Sequence, residues 1–157
     1  MSQNVRRMHC PPGAVLAVLA DGWLYPAWVV GASRMRQVDA RWPDPGTELH
    51  HSVGAWPLLI DDRTISLERT PTALTVRARG WLLGEARVRV EVRASGDGCL
   101  VRLQEEPTAG PAHWLPRPLR DAALRVRNRE TLRRLAFLAE GRAAVVVNPP
   151  PRIPDAG

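Results

Sequence analysis

Residues 118–142 read PLRDAALRVRNRETLRRLAFLAEGR, and this stretch decides the fold. Its apolar and small side chains recur at steps of three and four residues, which is the spacing of one face of an α-helix. Arginines occupy mostly the opposite face. The stretch therefore predicts a long amphipathic helix, whose buried stripe contains Leu124, Asn128, Thr131, Leu135 and Leu138 and is widened by Leu132, Ala136 and Ala139.

Short runs of alternating apolar and polar residues come before this helix and predict strands. We place these strands at about 4–10, 33–40, 47–56, 63–69, 73–80, 85–94 and 99–106. Two apolar stretches, 14–20 and 23–30, predict short helices after the first strand. The later strands are joined by short turns, as at 43–46, 70–72 and 95–98, and such connections join antiparallel neighbours.

The alternation also assigns the faces of the sheet. In the strand at 85–94, Ala86, Val88, Val90 and Val92 alternate with charged residues, and the strands on either side of it repeat the pattern. One face is therefore apolar and the other is rich in arginine. We expect an α+β fold of order β-α-α-β6-α, in which a curved, seven-stranded antiparallel sheet wraps around the long C-terminal helix. A helix laid across a curved sheet usually encloses a cavity.

The length and composition are those of one globular domain with a sizeable core. We expect this ligand-binding domain over residues 1–142 and a loosely attached, proline-rich tail over 143–157. The net charge of +6 comes from 22 basic residues, all of them arginine and spread along the chain. A nucleic-acid surface concentrates such residues, so we expect no nucleic-acid partner.

The first residues, MSQNVRRMHC, are polar and do not have the pattern of a signal peptide. No apolar run in the sequence approaches the roughly 20 residues that span a bilayer, so we expect a cytoplasmic protein without a membrane span. Cys10 and Cys99 are too few for a disulfide framework or a metal knuckle, and we interpret them as reduced, buried thiols on neighbouring strands. The sequence makes no prediction of the oligomeric state.

The chain resembles the START-like, helix-grip superfamily, often labelled the polyketide cyclase/dehydrase and lipid-transport family, and within it a mainly actinobacterial branch. The resemblance covers residues 4–140 through the order of elements. Locally it lies in DGWLYPAWVVGASR (21–34), GTELHHSVGAWPLLIDD (46–62) and RNRETLRRLAFLAEGR (127–142). It implies a helix-grip fold with a ligand cavity, but the superfamily includes carriers, receptors, cyclases and hydrolases, so the fold does not fix the activity. Its oxygenase members need a non-haem iron site, for which this sequence offers no ligand set.

Two side chains are candidates for acid–base chemistry in the cavity. Glu105 continues the inward register of Val101 and Leu103, where it would serve as an acid or base or pair with a cavity arginine. The plainer interpretation is that Glu105 ends its strand and reaches water. His51 shares the inward register of Leu49 and Val53, where it would polarise a carbonyl or act as a base. Its plainer interpretation is a core histidine bonded to a backbone carbonyl.

The remaining candidates are expected to contact a ligand. Asn128 lies in the apolar stripe of the helix, between Leu124 and Thr131, and its amide must bond either to the sheet or to a ligand oxygen. Aromatic residues are concentrated in segments expected to surround the cavity, and a wall of this kind suits a planar or lipid-like molecule. These residues are Tyr25, Trp28, Trp42, Trp56 and Trp81, while Trp114 is expected to anchor the start of the helix.

The sequence carries no phosphate-binding loop, serine-nucleophile motif or metal signature, so we expect no cofactor and no metal. Three hypotheses remain. The first is a protein that binds a small hydrophobic or aromatic molecule, as a carrier or to sequester it. The second is a cyclase or dehydratase that uses acid–base chemistry on a polyketide-like substrate. The third is an interaction module whose arginine-rich sheet face binds an acidic partner, although cross-strand Arg–Glu pairs would explain that face as well.

Overall fold

The computed structural model describes residues 1–55, 57–80, 84–110 and 116–147. The described residues form the elements that the sequence predicts, in the predicted order. The strands are β1 (Ser2–Met8), β2 (Ala32–Val38), β3 (Glu48–Ala55), β4 (Leu58–Thr70), β5 (Ala73–Gly80), β6 (Gly84–Ser95) and β7 (Gly98–Ala109). The helices are α1 (Pro12–Ala20), α2 (Tyr25–Trp28) and α3 (Arg117–Val147), and a 3₁₀ turn (Gly22–Leu24) precedes α2.

The seven strands form one antiparallel sheet in the order β1-β7-β6-β5-β4-β3-β2. Strands β2 to β7 each pair with the next strand in sequence, and β1 pairs with β7. Because β1 and β2 lie at opposite edges of the sheet, the chain between them, which contains α1 and α2, crosses from one edge to the other. Register shifts interrupt β2, β4 and β6. Bulges of this kind bend strands, so they account for the curvature of the sheet. The predicted α+β fold, a curved sheet around a long terminal helix, is confirmed.

The alternation predicted the two faces of the sheet correctly. Val76 pairs with Val88, and Val90 pairs with Leu103, so apolar residues meet across β5, β6 and β7 on the inner face. On the outer face, arginines pair with neighbouring carboxylates, as in Arg89–Glu68 at 3.0 Å. Another such pair is Arg93–Glu91 at 2.8 Å. Exposed pairs contribute little to stability, but they satisfy the charge of a solvated sheet face.

Strand β4 is the element whose start the sequence places worst. It begins at Leu58, five residues before the predicted position 63, because residues 58–62 pair with β3. That stretch reads LLIDD and has no alternation, so its strand character comes from pairing and not from its own pattern. The pairing sets Asp62 opposite His51, on the inner face.

Helix α3 begins close to the predicted position but ends later. It continues to Val147, so residues 143–147 of the expected tail are helical. The sequence there is AAVVV, which has no helix-breaking residue before Pro149, and Val145, Val146 and Val147 are exposed. The remainder of the expected tail, 148–157, lies outside the described residues.

The buried stripe of α3 agrees with the prediction. Seven of its residues are buried: Leu124, Asn128, Thr131, Leu132, Leu135, Ala136 and Ala139. The predicted stripe residue Leu138 packs partly buried against the same core. The helix packs against α1, α2, β1 and β7. The helix therefore contacts one edge of the sheet and the two short helices. A space remains between α3 and the inner face of the central strands.

The closed end of this space is filled by a solid core. Met8, Cys99 and Val101 of the sheet pack there with Val15 and Val18 of α1, all of them essentially inaccessible. Cys10 and Cys99 are buried free thiols, as predicted, although Cys10 lies two residues beyond the end of β1. Burial raises the pKa of Cys10 to about 11 and also raises the pKa of Cys99.

No helix in the described part of the chain is both long and apolar enough to cross a membrane.

Candidate functional site

A cavity of about 540 Å³ lies between the inner face of the sheet and α3. Its floor comes from the inward positions of the central strands, and α2 with the residues that follow it forms one wall. Most of the lining is aliphatic, including Leu74, Val76, Ala78, Val88, Val90 and Leu103 from the sheet and Ala123 and Leu124 from α3. This volume lies within the usual range of small-molecule sites. The cavity has the size and the apolar character of a binding site for a small organic molecule.

One group of polar side chains joins α3 to β7 at the cavity. Glu105, at the inward position after Leu103, is only 3% exposed. Its Oε2 accepts a hydrogen bond of 2.8 Å from Nδ2 of Asn128 and a second, charge-assisted bond from Nη2 of Arg127. The Asn128 Oδ1 in turn accepts from Nε and Nη2 of Arg127, at 3.4 and 3.3 Å. A buried carboxylate is costly unless it is paired, and here Arg127 supplies the opposite charge.

A second polar group lies where α2 meets β3 and β4. The Thr64 hydroxyl, which is fully buried, lies 3.0 Å from the Tyr25 hydroxyl and 3.0 Å from Nε2 of His51. The rings of Tyr25 and His51 lie 5.0 Å apart, and Trp28 meets Tyr25 edge-on at 5.5 Å. These contacts hold a phenol, a hydroxyl and an imidazole in fixed positions on one wall of the cavity.

Burial sets the protonation states of this group. It raises the pKa of Tyr25 to about 12, despite the opposing hydrogen bond from Thr64, so the phenol is neutral at ordinary pH. Burial also lowers the pKa of His51, an effect that the nearby carboxylate of Asp62 opposes. The imidazole is therefore neutral at pH 7 and can accept a proton. Its Nδ1 is buried and has no hydrogen-bond partner among the described residues.

Eight of the predicted ligand-contacting residues line the cavity: Tyr25, Trp28, Trp42, His51, Glu105, Leu124, Asn128 and Thr131. Trp42 is also tied to α1, because its Nε1 donates to the Leu19 carbonyl at 3.2 Å. Thr131 accepts a 3.4 Å hydrogen bond from the backbone N–H of Val30, which connects α3 to the segment after α2. Trp56 and Trp81, and the expected helix anchor Trp114, lie outside the described residues.

The plainer interpretation of Glu105 is corrected by the geometry. Glu105 does not reach water at a strand end, because α3 covers it and Arg127 neutralises it. The Nε2 of His51 bonds to the hydroxyl of Thr64. For Asn128 the bond to the sheet is present, and the partner is the carboxylate of Glu105.

Sequence reasoning missed several polar residues of the cavity region. Thr64 lies within the predicted strand at 63–69, and its pairing with Ala78 of β5 places it on the inner face. Arg127 precedes Asn128 at the border of the buried stripe. The one signal for it in the sequence was the expectation that an inward-facing Glu105 would pair with a cavity arginine. Arg79, Glu85 and Arg120 also line the cavity. In the described ranges, no group of three His, Cys, Asp or Glu residues is arranged to hold a metal ion.

Comparison with known proteins gives structural matches alone. No protein-family model matches the sequence, and no curated protein matches it. Solved structures do match: protein NE0264 from Nitrosomonas europaea superposes with a TM-score of 0.69 at 18% identity, over 90% of this chain and 95% of that one. Ara h 8.0201 gives 0.66 at 12% identity, over 88% and 96% of the two chains.

A third match is the di-domain ARO/CYC StfQ from the steffimycin biosynthetic pathway, with a TM-score of 0.68 at 15% identity. It covers 91% of this chain and 52% of StfQ, so this chain corresponds to about one domain of the pair. This chain has the helix-grip fold. At identities this low the helix-grip matches establish the architecture, and they leave the chemistry of the cavity to its own residues.

Proposed function

We propose that this helix-grip protein binds a small hydrophobic or aromatic molecule between the sheet and α3. The observation that supports this most strongly is the cavity itself, about 540 Å³ in volume and lined mainly by aliphatic and aromatic side chains. Folding normally closes such a space, because an empty apolar cavity forfeits the packing contacts of its lining. A ligand would restore those contacts. The proposal places the chain with the START-like superfamily, in the role of a carrier or sequestering protein.

The experiment is native mass spectrometry of the purified protein, followed by solvent extraction and analysis of any released molecule. In parallel, thermal-shift measurements compare lipids, quinones and aromatic polyketides. A retained molecule of defined mass, or a rise in melting temperature with one of these classes, is expected. An apo mass together with no shift in any class would contradict the proposal.

Two neighbouring alanines of α3 provide a matched pair of variants. Ala123 and Ala122 are both exposed, but of the two only Ala123 lines the cavity. Ala123→Trp should place an indole in the binding space and weaken binding by about tenfold or more, the effect expected when a full site is overpacked. Ala122→Trp should leave affinity unchanged. Equal loss in both variants would mean that the effect comes from the helix and not from the cavity.

A second candidate is an acid–base enzyme of the cyclase or dehydratase type. It is favoured by the presence of two separate polar groups, around His51 and around Glu105, in one largely apolar cavity. Neutral His51 would remove a proton from carbon next to a carbonyl, and the resulting enolate would attack a second carbonyl of the same folded chain. Tyr25, whose phenol stays protonated, would donate to the developing oxyanion. The match to an ARO/CYC protein is consistent with this chemistry.

The binding protein and the cyclase or dehydratase differ in one measurable property, since only the enzyme converts a substrate to product. Incubation with a reactive linear polyketone, followed by mass spectrometry, should show loss of water with ring formation if the protein is an enzyme. His51→Ala should then abolish turnover while the affinity for a non-reactive aromatic ligand remains measurable. Binding without any product in the wild-type protein would leave the carrier function and exclude the enzymatic one for that substrate class.

A further inference from the structure

Among the described residues, three arginines line the cavity, and their guanidinium groups are not equally paired. Arg79 bonds to Glu85 at 2.7 Å, and Arg127 bonds to Glu105. Both of these carboxylates also line the cavity. Two of the three guanidinium groups are therefore hydrogen-bonded to a carboxylate, whereas the third, that of Arg120, has a carboxylate only at ion-pair distance, from Asp121 at 3.7 Å.

The Arg120 side chain is only 11% exposed. Its Nε is buried without a hydrogen-bond partner in the described part of the chain, and its other guanidinium nitrogens make no hydrogen bond to a described residue. The adjacent Asp121 has its Oδ1 3.7 Å from Nε, which is beyond hydrogen-bond length, and that oxygen is also unpartnered. A guanidinium has five N–H donors, and the side chains of the described residues accept from none of those of Arg120.

A buried charge with unused donors is unfavourable, and a ligand that supplies the missing acceptors relieves the cost. Carboxylates match the planar, forked geometry of arginine and accept from it in a bidentate manner. We propose that the molecule bound in this cavity is an amphipathic carboxylate, whose acid group pairs with Arg120 while its apolar body packs on the valines of β5 and β6. The inference rests on the proposed binding function and narrows it to one class of ligand.

The helix geometry gives this ligand a length scale. Arg120, Leu124 and Asn128 are spaced by four residues and line the cavity along one face of α3. The eight steps along the helix from Arg120 to Asn128 correspond to about 12 Å along the axis. A carboxylate at Arg120 therefore leaves about that distance, over an aliphatic floor, before the ligand meets the Glu105 group. Because the guanidinium of Arg127 is already paired with Glu105, that group does not compete for the acid.

The test uses two fluorescent probes that share an apolar body, 1-pyrenebutyric acid and 1-pyrenebutanol. Their dissociation constants are measured by fluorescence titration of the full-length protein at a pH where the acid is ionised. The acid should bind wild-type protein at least about tenfold more tightly than the alcohol, as expected for hydrogen bonds to a charged group. In Arg120→Gln the two affinities should converge through a loss in the acid alone.

Arg129→Gln is the matched control, because Arg129 is an exposed arginine on the same helix and does not line the cavity. It removes the same charge and should preserve the preference for the acid. Circular dichroism and the alcohol affinity show whether each variant is folded. If Arg120→Gln unfolds, Arg120→Lys serves instead, and it should reduce the acid preference while keeping the charge.

The outcomes separate the inference from the function on which it rests. Equal binding of acid and alcohol to the wild-type protein, or equal losses in the Arg120 and Arg129 variants, would overturn the inference and leave the cavity as a binding site. Equal binding of acid and alcohol would mean that Asp121 alone balances the charge of Arg120. Failure of both probes to bind, in a protein that also retains no other ligand, would overturn the proposed function as well.

Discussion

Asn128 of α3 donates a 2.8 Å hydrogen bond to Oε2 of Glu105 on β7, the same oxygen that Arg127 contacts. One carboxylate thus connects the terminal helix to the sheet across the cavity. Both residues are buried, with 1% of Asn128 and 3% of Glu105 exposed. An interaction of this kind fixes the rotation of the helix over the sheet, because any other rotation would leave a buried charge unpaired.

The first prediction concerns this connection. Asn128→Ala should lower the free energy of unfolding by about 1–3 kcal/mol, because it removes one hydrogen bond from a buried carboxylate. Glu105→Gln should also destabilise, and the double variant should lose less than the sum of the two single losses. Chemical denaturation of the four proteins measures the cycle. Gln104→Ala, on the outer face of β7, is the control and should change stability by no more than about 0.5 kcal/mol. Strictly additive losses would contradict the coupling.

The second prediction concerns the pH dependence of stability. Because burial lowers the pKa of His51 below its ordinary value of 6.5, the unfolded chain binds a proton at a higher pH than the native protein does. Stability from this residue is complete above pH 6.5 and is lost as the pH falls toward the native pKa. The difference in unfolding free energy between wild type and His51→Gln should therefore shrink as the solution is acidified below pH 6.5. The other histidines cancel in this difference.

A difference that stays constant or grows over that range would show that His51 is not desolvated. Nuclear magnetic resonance titration of the imidazole provides a separate check, and the His51 signals should titrate below pH 6.5.

The third prediction uses the fact that the chain has a single tyrosine. The ultraviolet absorbance of tyrosinate therefore reports on Tyr25 alone. In the native protein its midpoint should lie at about pH 12, and in guanidinium-unfolded protein near the ordinary value of 10.0. Since the native pKa is the higher one, stability should fall as the pH rises above 10.0. A native midpoint close to 10.0, in protein that circular dichroism shows to be folded, would contradict the burial of the phenol.

Much of the fold could be predicted because it depends on period and on turns. The alternation in β5, β6 and β7 identified which side chains face inward, and it placed Glu105 on the inner face. The spacing of Leu124, Asn128 and Thr131 identified the side of α3 that covers the sheet. These signals are local, and the structure confirms them because the sheet is formed by neighbours in sequence.

The partners of the site residues could not be predicted in the same way. Whether Glu105 meets water or Arg127 depends on the rotation and height of α3, which are set by packing against α1 and β1 rather than by the sequence near Glu105. Thr64 and Asp62 were missed for a different reason. The LLIDD stretch, which ends at Asp62, has no alternation, and its register is fixed by pairing with β3. Long-range pairing of this kind leaves no mark in a local pattern.

The fourth prediction tests the orientation of α3 through two residues that are two positions apart. Leu135 is fully buried and Phe137 is 80% exposed, although both are large and apolar. Leu135→Ala should lower the free energy of unfolding by about 2–5 kcal/mol, because it opens a cavity in the core between α3 and α1. Phe137→Ala should change it by no more than about 0.5 kcal/mol. Denaturation measured by circular dichroism gives both values. If Phe137→Ala proved as costly as Leu135→Ala, the helix would have to face the sheet with a different side, and the placement of Arg120, Arg127 and Asn128 at the cavity would fail with it.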